Sequence, residues 1–254
     1  MAKLPFKKIL NKDNPVYYQF INNKSDKTVV FIHGLFSSSS IFRHFLKFIK
    51  YNIILVELRG IVYSKCRKPY LNNYVEDIKL ILDKENIRKN VILIGYSLGC
   101  SIANAFVEKY DKMVEKAILL APINRKLKDI GRRNLIRSLI KTFGINFFKK
   151  WHDIIRREDG KPFFKIFGLF NFRLLKEVCV ETVFTDKCKM VIINGGSAVE
   201  FFNKKDIRLK LPNIIYEEIK NLDHYLFLTL ERIQIIEKYL LMHLNQSYEL
   251  APIN

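Results

Sequence analysis

Acidic side chains, paired cysteines and long apolar runs are what this chain has least of. Its four cysteines, Cys66, Cys100, Cys179 and Cys188, show no CxxC spacing. That scatter speaks against a zinc site and a disulfide framework and for reduced thiols. No stretch approaches the ~18 apolar residues that a membrane span needs. The N-terminal "MAKLPFKKILNKDN" is basic but lacks the apolar core of a signal peptide, so the cytoplasm is the expected address. Acidic residues number 25 against 44 Lys+Arg, a net charge of +19. A field of that size draws anionic partners: nucleic acid, an anionic membrane surface or an acidic substrate. The basic residues are spread along the chain, densest from Arg125 to Lys165, without a basic tail, zinc-finger spacing or RRM-like aromatic signature. Specific nucleic-acid binding is therefore disfavoured.

What is present is ordinary globular material, with 49% hydrophobic and 27% charged residues. A length of 254 residues fits a single α/β domain spanning 1–254. Short Val- and Ile-rich runs recur: "TVVFIHG" from Thr28, "NIILVEL" from Asn52, "VILIGYS" from Val91, "KAILLAP" from Lys116, "MVIINGG" from Met190 and "IIYEEIK" from Ile214. Runs that are apolar throughout mark strands of a parallel sheet covered on both faces. Helical patterns separate them: "IFRHFLKFIK", "NNYVEDIKLILDKEN", "LGCSIANAFVEKY" and, at the end, "LFLTLERIQIIEKYLLMHL". "VYYQFI" from Val16 adds a strand at the sheet edge. The expected fold class is a doubly wound, mostly parallel α/β sheet of about eight strands.

The alternation breaks once, at about 124–189. That segment is basic and aromatic, carrying Trp151 and Phe143, Phe147, Phe148, Phe163, Phe164, Phe167, Phe170 and Phe172, and reads as short helices without another sheet strand. An insertion there forms a helical cap over the strand C-terminal ends, where α/β proteins build their pockets.

Chemistry concentrates at "GYSLG", residues 95–99. A G-x-S-x-G pentapeptide is weak evidence alone, but this one ends a predicted strand and opens a predicted helix, the setting of a nucleophile elbow. The turn strains the serine, and Gly95 and Gly99 let backbone and helix approach. Ser97 needs a base. Of five histidines, His44 and His152 lie in charged helical contexts and His243 in the last helix. His224, in "NLDHYLFL", follows a strand and precedes the final helix, which places it on the edge that carries the elbow.

Taken together, "FIHGLFSSSS", "VELRGIVYS", "GYSLG" and "LDHYLFL" resemble, in order and spacing, the HG oxyanion loop, the D-x-R-G-x-G-x-S segment, the elbow and the histidine segment of α/β-hydrolase fold serine hydrolases. The resemblance covers most of the chain outside the cap. It implies Ser97 as nucleophile, His224 as general base, and the backbone N–H groups of Leu35 and Leu98 as the oxyanion hole. It implies no cofactor and no metal. His33 becomes architectural, shaping the loop that presents Leu35. A serine nucleophile points away from the dehalogenase and epoxide-hydrolase branches, which use aspartate there.

The acid departs from the pattern. Where the family places G-x-x-D after its penultimate strand, Ala198 stands three residues after Gly195. Glu200 is the nearest carboxylate able to orient His224, with Asp206, Asp129 and Asn124 as alternatives. Val62 replaces a common glycine, and Asp223 replaces the glycine that often precedes the histidine; Asp223 reads first as a solvated charge. The implied reaction is cleavage of a carboxylic ester of a largely apolar acyl group, on a small-molecule or lipid substrate, with peripheral contact to anionic membrane as a partner. An acyl-CoA thioesterase or acyltransferase with the same triad is one alternative. A catalytically inactive binding protein on the same fold is another.

Overall fold

The computed structural model describes residues 5–11, 14–34, 37–59, 70–124, 182, 184–198, 201–224, 226–227 and 229–244. Most of the expected cap, 125–181 and residue 183, lies outside them. Eight strands form one sheet: β1 (Lys7–Asn11), β2 (Asn14–Ile21), β3 (Thr28–Ile32), β4 (Asn52–Glu57), β5 (Val91–Tyr96), β6 (Val114–Leu120), β7 (Lys189–Gly195) and β8 (Ile214–Ile219). Their spatial order is β1-β2-β4-β3-β5-β6-β7-β8. From β4 across to β8 every pairing is parallel, while β1 with β2 and β2 with β4 are antiparallel.

The two faces explain the unbroken apolar runs. In β3, Val30 and Ile32 point to one face and pack with Ile78 and Ile81 of α1 (Leu71–Lys84) and Ile102 and Phe106 of α2 (Leu98–Tyr110). Val29 and Phe31 point to the other, where Phe42 and Phe45 of the 3-10 segment Ser39–Phe48 meet Ile236 and Leu240 of α3 (Leu230–His243). Side chains alternate with period two, so a strand buried on both sides must be apolar at every position.

Three expectations need correction. β2 is not an edge strand, because β1 pairs outside it from Lys7↔Tyr18 to Asn11↔Asn14. β1 escaped notice because an edge strand meets one neighbour only and tolerates lysines; Lys7 sits over the Phe20 ring and pairs with Glu85. β8, grouped above with the fully apolar runs, is the opposite edge and only half-buried. The segment after β3 is a 3-10 helix, not an α-helix, and it still buries Ile41, Phe42, Phe45 and Leu46. Among the described residues, no helix is long and apolar enough to cross a membrane.

One buried ion pair ties the sheet to α1. Arg59, just past β4, contacts both carboxylate oxygens of Asp77, and Asn11 Nδ2 donates to Asp77 Oδ1 at 2.7 Å. Tyr74 donates to the Arg59 carbonyl at 3.1 Å. Burial pushes the Asp77 carboxyl up, with Arg59 and Asn11 opposing that shift. Asp77→Ala removes the buried counter-charge, so urea unfolding should show a loss of about 3–5 kcal/mol, against less than about 1 kcal/mol for Asp83→Ala in an exposed pair.

Candidate active site

All the groups of interest sit where strands end. β5 delivers Ser97 into a turn with φ 52° and ψ −112°, a conformation that costs any residue other than glycine. Neighbouring contacts hold it there. The Ser97 amide donates to the Leu120 carbonyl at the end of β6 (3.0 Å), and the Ser97 carbonyl accepts from Cys100 N–H (2.9 Å). A Cβ on Gly95 would collide with the Gly99 carbonyl, and one on Gly99 with the Ile32 carbonyl of β3. Both glycines are thus required by close backbone approach, the role assigned to them from sequence.

His224 follows β8. Its Nε2 lies 2.9 Å from Ser97 Oγ across 127 residues of sequence. Three contacts from two aromatic residues hold His224: Phe201 at 4.4 Å between ring centroids, Tyr96 stacked at 6.1 Å, and the Tyr96 hydroxyl, which donates to the His224 carbonyl at 3.2 Å. Phe227 packs edge-on against Tyr96 at 4.7 Å. Gly195 is essential to this arrangement, since a Cβ there would strike the carbonyls of Leu222 and Asp223. The loop after β7 then bonds the His224 loop through Ser197 N–H to the Leu222 carbonyl at 2.9 Å.

Burial lowers the His224 pKa from its ordinary 6.5 to about 4, against an upward pull from Asp223. At neutral pH the ring is therefore an uncharged base. For Ser97 Oγ–H to donate to Nε2, the ring proton must sit on Nδ1.

Sequence-derived candidates fare unequally. Ser97 and His224 are brought together, and Leu98 is the first residue of α2, where amides lack an intrahelical acceptor. Gly34 of the HG loop passes beside the elbow: a Cβ built on it would stand 3.1 Å from Ser97 Cβ. Leu35 itself, Glu200, Asp129, Val62 and His152 lie outside the described residues. Asp206 and Asn124 do not reach His224. Asn124 Nδ2 donates to Asp206 Oδ2 (3.1 Å) and the Asn203 carbonyl (3.1 Å), and Asp206 caps the turn Ile207–Lys210 while pairing with Arg208.

Asp223 is not simply a solvated charge. Arg232 of α3 donates to it at 2.7 Å and 3.4 Å, because Thr229 caps α3 and its first turn swings that arginine back over the loop. Tyr96, Phe201 and Arg232 went unremarked in the sequence: Tyr96 is the free position of G-x-S, and the other two acquire meaning only through contacts. Among the described residues, no group of three or more His, Cys, Asp or Glu side chains gathers as a metal site would require.

The fold that carries this serine and histidine has known counterparts. Residues 27–138 match a family model described as the alpha/beta hydrolase fold. The whole chain superposes on MGS-M2, an alpha/beta hydrolase enzyme from a Medee basin deep-sea metagenome library, with a TM-score of 0.75 at 18% identity, covering 97% of this chain and all of that one (100%). The chain has the α/β-hydrolase fold. Carboxylesterase CesB from Bacillus subtilis shares the fold as well, with a TM-score of 0.68 at 16% identity over 96% of this chain and 92% of that one.

Curated relatives match over a shorter span. "Ethanol acetyltransferase 1" of Cyberlindnera jadinii is 25% identical over 130 residues, 48% of this chain and 38% of that protein. "Probable lysophospholipase BODYGUARD 1" of Arabidopsis thaliana is 34% identical over 113 residues, 40% of this chain and 24% of that protein. The chain thus spans less than half the length of these relatives.

The depressed His224 pKa carries a stability cost in acid. Between pH 6.5 and about 4 the unfolded histidine binds a proton that the folded one refuses, so stability falls as pH falls through that window. Urea unfolding of wild type and His224→Gln should diverge accordingly: the variant gains on the wild type by ~3 kcal/mol between pH 7 and pH 4.

Proposed function

We propose that this α/β-hydrolase-fold protein is a serine hydrolase that cleaves carboxylic esters of largely apolar acyl groups. The observation carrying that reading is the 2.9 Å contact between Ser97 Oγ and His224 Nε2 at a positive-φ elbow. Ser97 Oγ attacks the acyl carbonyl while its proton passes to His224 Nε2. The Leu98 and Leu35 amides receive the developing oxyanion, with α2 directing its positive end at the same point. His224 then returns the proton to the leaving alcohol, and water repeats the sequence to release the acid.

Buried and neutral, the imidazole needs a counter-charge when it becomes imidazolium. Glu200 is the proposed acid: it stands in the segment that replaces the family's G-x-x-D, and the residue after it, Phe201, packs on the His224 ring. Asp223 supplies a second negative charge, moderated by Arg232. The net charge of +19 favours an anionic head group or membrane surface as the setting of the ester.

Transfer of the acyl group to an alcohol is the second reading, favoured by the similarity to relatives named ethanol and alcohol acetyltransferases. The two share every step up to the acyl-enzyme and differ in which nucleophile resolves it. Product analysis with an ester donor in the presence of ethanol separates them: hydrolysis yields free acid, transfer yields the ethyl ester.

On p-nitrophenyl esters, Ser97→Ala should lower kcat at least ~10³-fold with the fold intact, and undiminished turnover would overturn the assignment. Glu200→Gln should cost about 10²–10⁴-fold. Unchanged turnover in that variant would move the acid to Asp129 or Asp223.

A further inference from the structure

Glu57, at the end of β4, is buried, 3% exposed, and pairs with no lysine or arginine among the described residues. Its Oε1 accepts from Ser39 N–H (3.0 Å) and from Ser39 Oγ–H. Its Oε2 makes no hydrogen bond among the described residues and lies 3.4 Å from His33 Nε2. A carboxyl group with one oxygen unpaired in a buried setting is costly to keep.

His33, fully buried, uses Nε2 to accept from Leu58 N–H (3.1 Å), which leaves the ring proton on Nδ1, and Nδ1 donates to the Gly34 carbonyl at 2.8 Å. Beyond Gly34, Ser37, Ser38, Ser39 and Ser40 are all buried, an unusual fate for serine, and Ser38 and Ser40 share a 2.6 Å hydroxyl contact. The end of β4 therefore grips the HG loop twice: Leu58 N–H fixes His33 and through it Gly34, and Glu57 fixes Ser39. Gly34, held by the first grip, makes the close approach to Ser97.

Peptide geometry turns this grip into a statement about catalysis. In a trans peptide the N–H points opposite to the C=O, so holding the Gly34 carbonyl on His33 dictates the direction of the following amide. That amide is the proposed oxyanion donor.

We propose that Glu57 is a positioning residue of the oxyanion hole, aligning the HG loop through Ser39 so that its amide meets the tetrahedral intermediate. The inference rests on the ester-hydrolase reading. Glu57 touches neither substrate nor Ser97, and it acts on the reaction only through the loop. An oxyanion donor is worth most when the anion has formed, so displacing it weakens transition-state binding and leaves ground-state binding nearly unchanged.

The test uses Glu57→Gln and Ser39→Ala in the full chain, with kcat and KM on a p-nitrophenyl ester, affinity for phenylboronic acid, which forms a tetrahedral adduct on serine, and melting temperature. Both variants should lower kcat by ~10–100-fold with KM within about threefold, and boronate affinity should fall by a similar factor. Ser39→Ala removes one hydroxyl and no charge, so it carries the test if Glu57→Gln does not fold. Variants that melt lower yet keep kcat and boronate affinity within about twofold of wild type show a merely structural Glu57 and overturn the inference. A wild type inactive on every ester overturns the ester-hydrolase reading and this inference together; an active wild type with unimpaired variants overturns this inference alone.

Discussion

Everything at the site depends on the contact between α2 and the end of β3, where Gly99 lies against the Ile32 backbone too closely for any side chain. That approach sets where α2 begins, and the start of α2 sets the turn that Ser97 must make. A serine with φ 52° is unfavourable alone; it persists because its amide and carbonyl are bonded on either side and the surrounding packing leaves no alternative. The same contact brings the HG loop beside the elbow. Ser97, the helix N-terminus and the loop are therefore placed by one backbone approach between neighbouring elements.

The histidine is held differently. No secondary structure carries His224; its loop is pinned by Ser197 to Leu222, by the fit of Gly195 beneath it, and by Arg232 on Asp223. Phe201 and Tyr96 close over the ring and exclude water, which is what drives its pKa down. A dry site strengthens each hydrogen bond that the reaction makes, and it demands a compensating charge for the imidazolium. Asp223, where a glycine often stands in the family, pulls the His224 pKa upward and so favours the charged ring.

Much of this was legible in the sequence because the signals are local or periodic. Fully apolar five- to seven-residue runs announce buried parallel strands, G-x-S-x-G at a strand–helix junction announces the elbow, and a histidine between the last strand and last helix has few places to go. β1 was missed since an edge strand carries neither signal. Asp206 and Asn124 were plausible acids by position along the chain, but they bond to each other and to the 203–208 turn, a distinction that position alone does not make.

What the sequence by itself determined is the sheet core, the elbow and the pairing of Ser97 with His224 as candidates, since hydrophobic periodicity and glycine requirements act over a few residues. Tertiary structure alone decided which side chains surround them. Phe201 on the imidazole, Arg232 on Asp223, and Glu57 gripping Ser39 beside His33 join residues far apart in the chain or on different elements. Their meaning lies in desolvation and in which hydrogen bonds remain available, and neither quantity exists until the chain has folded.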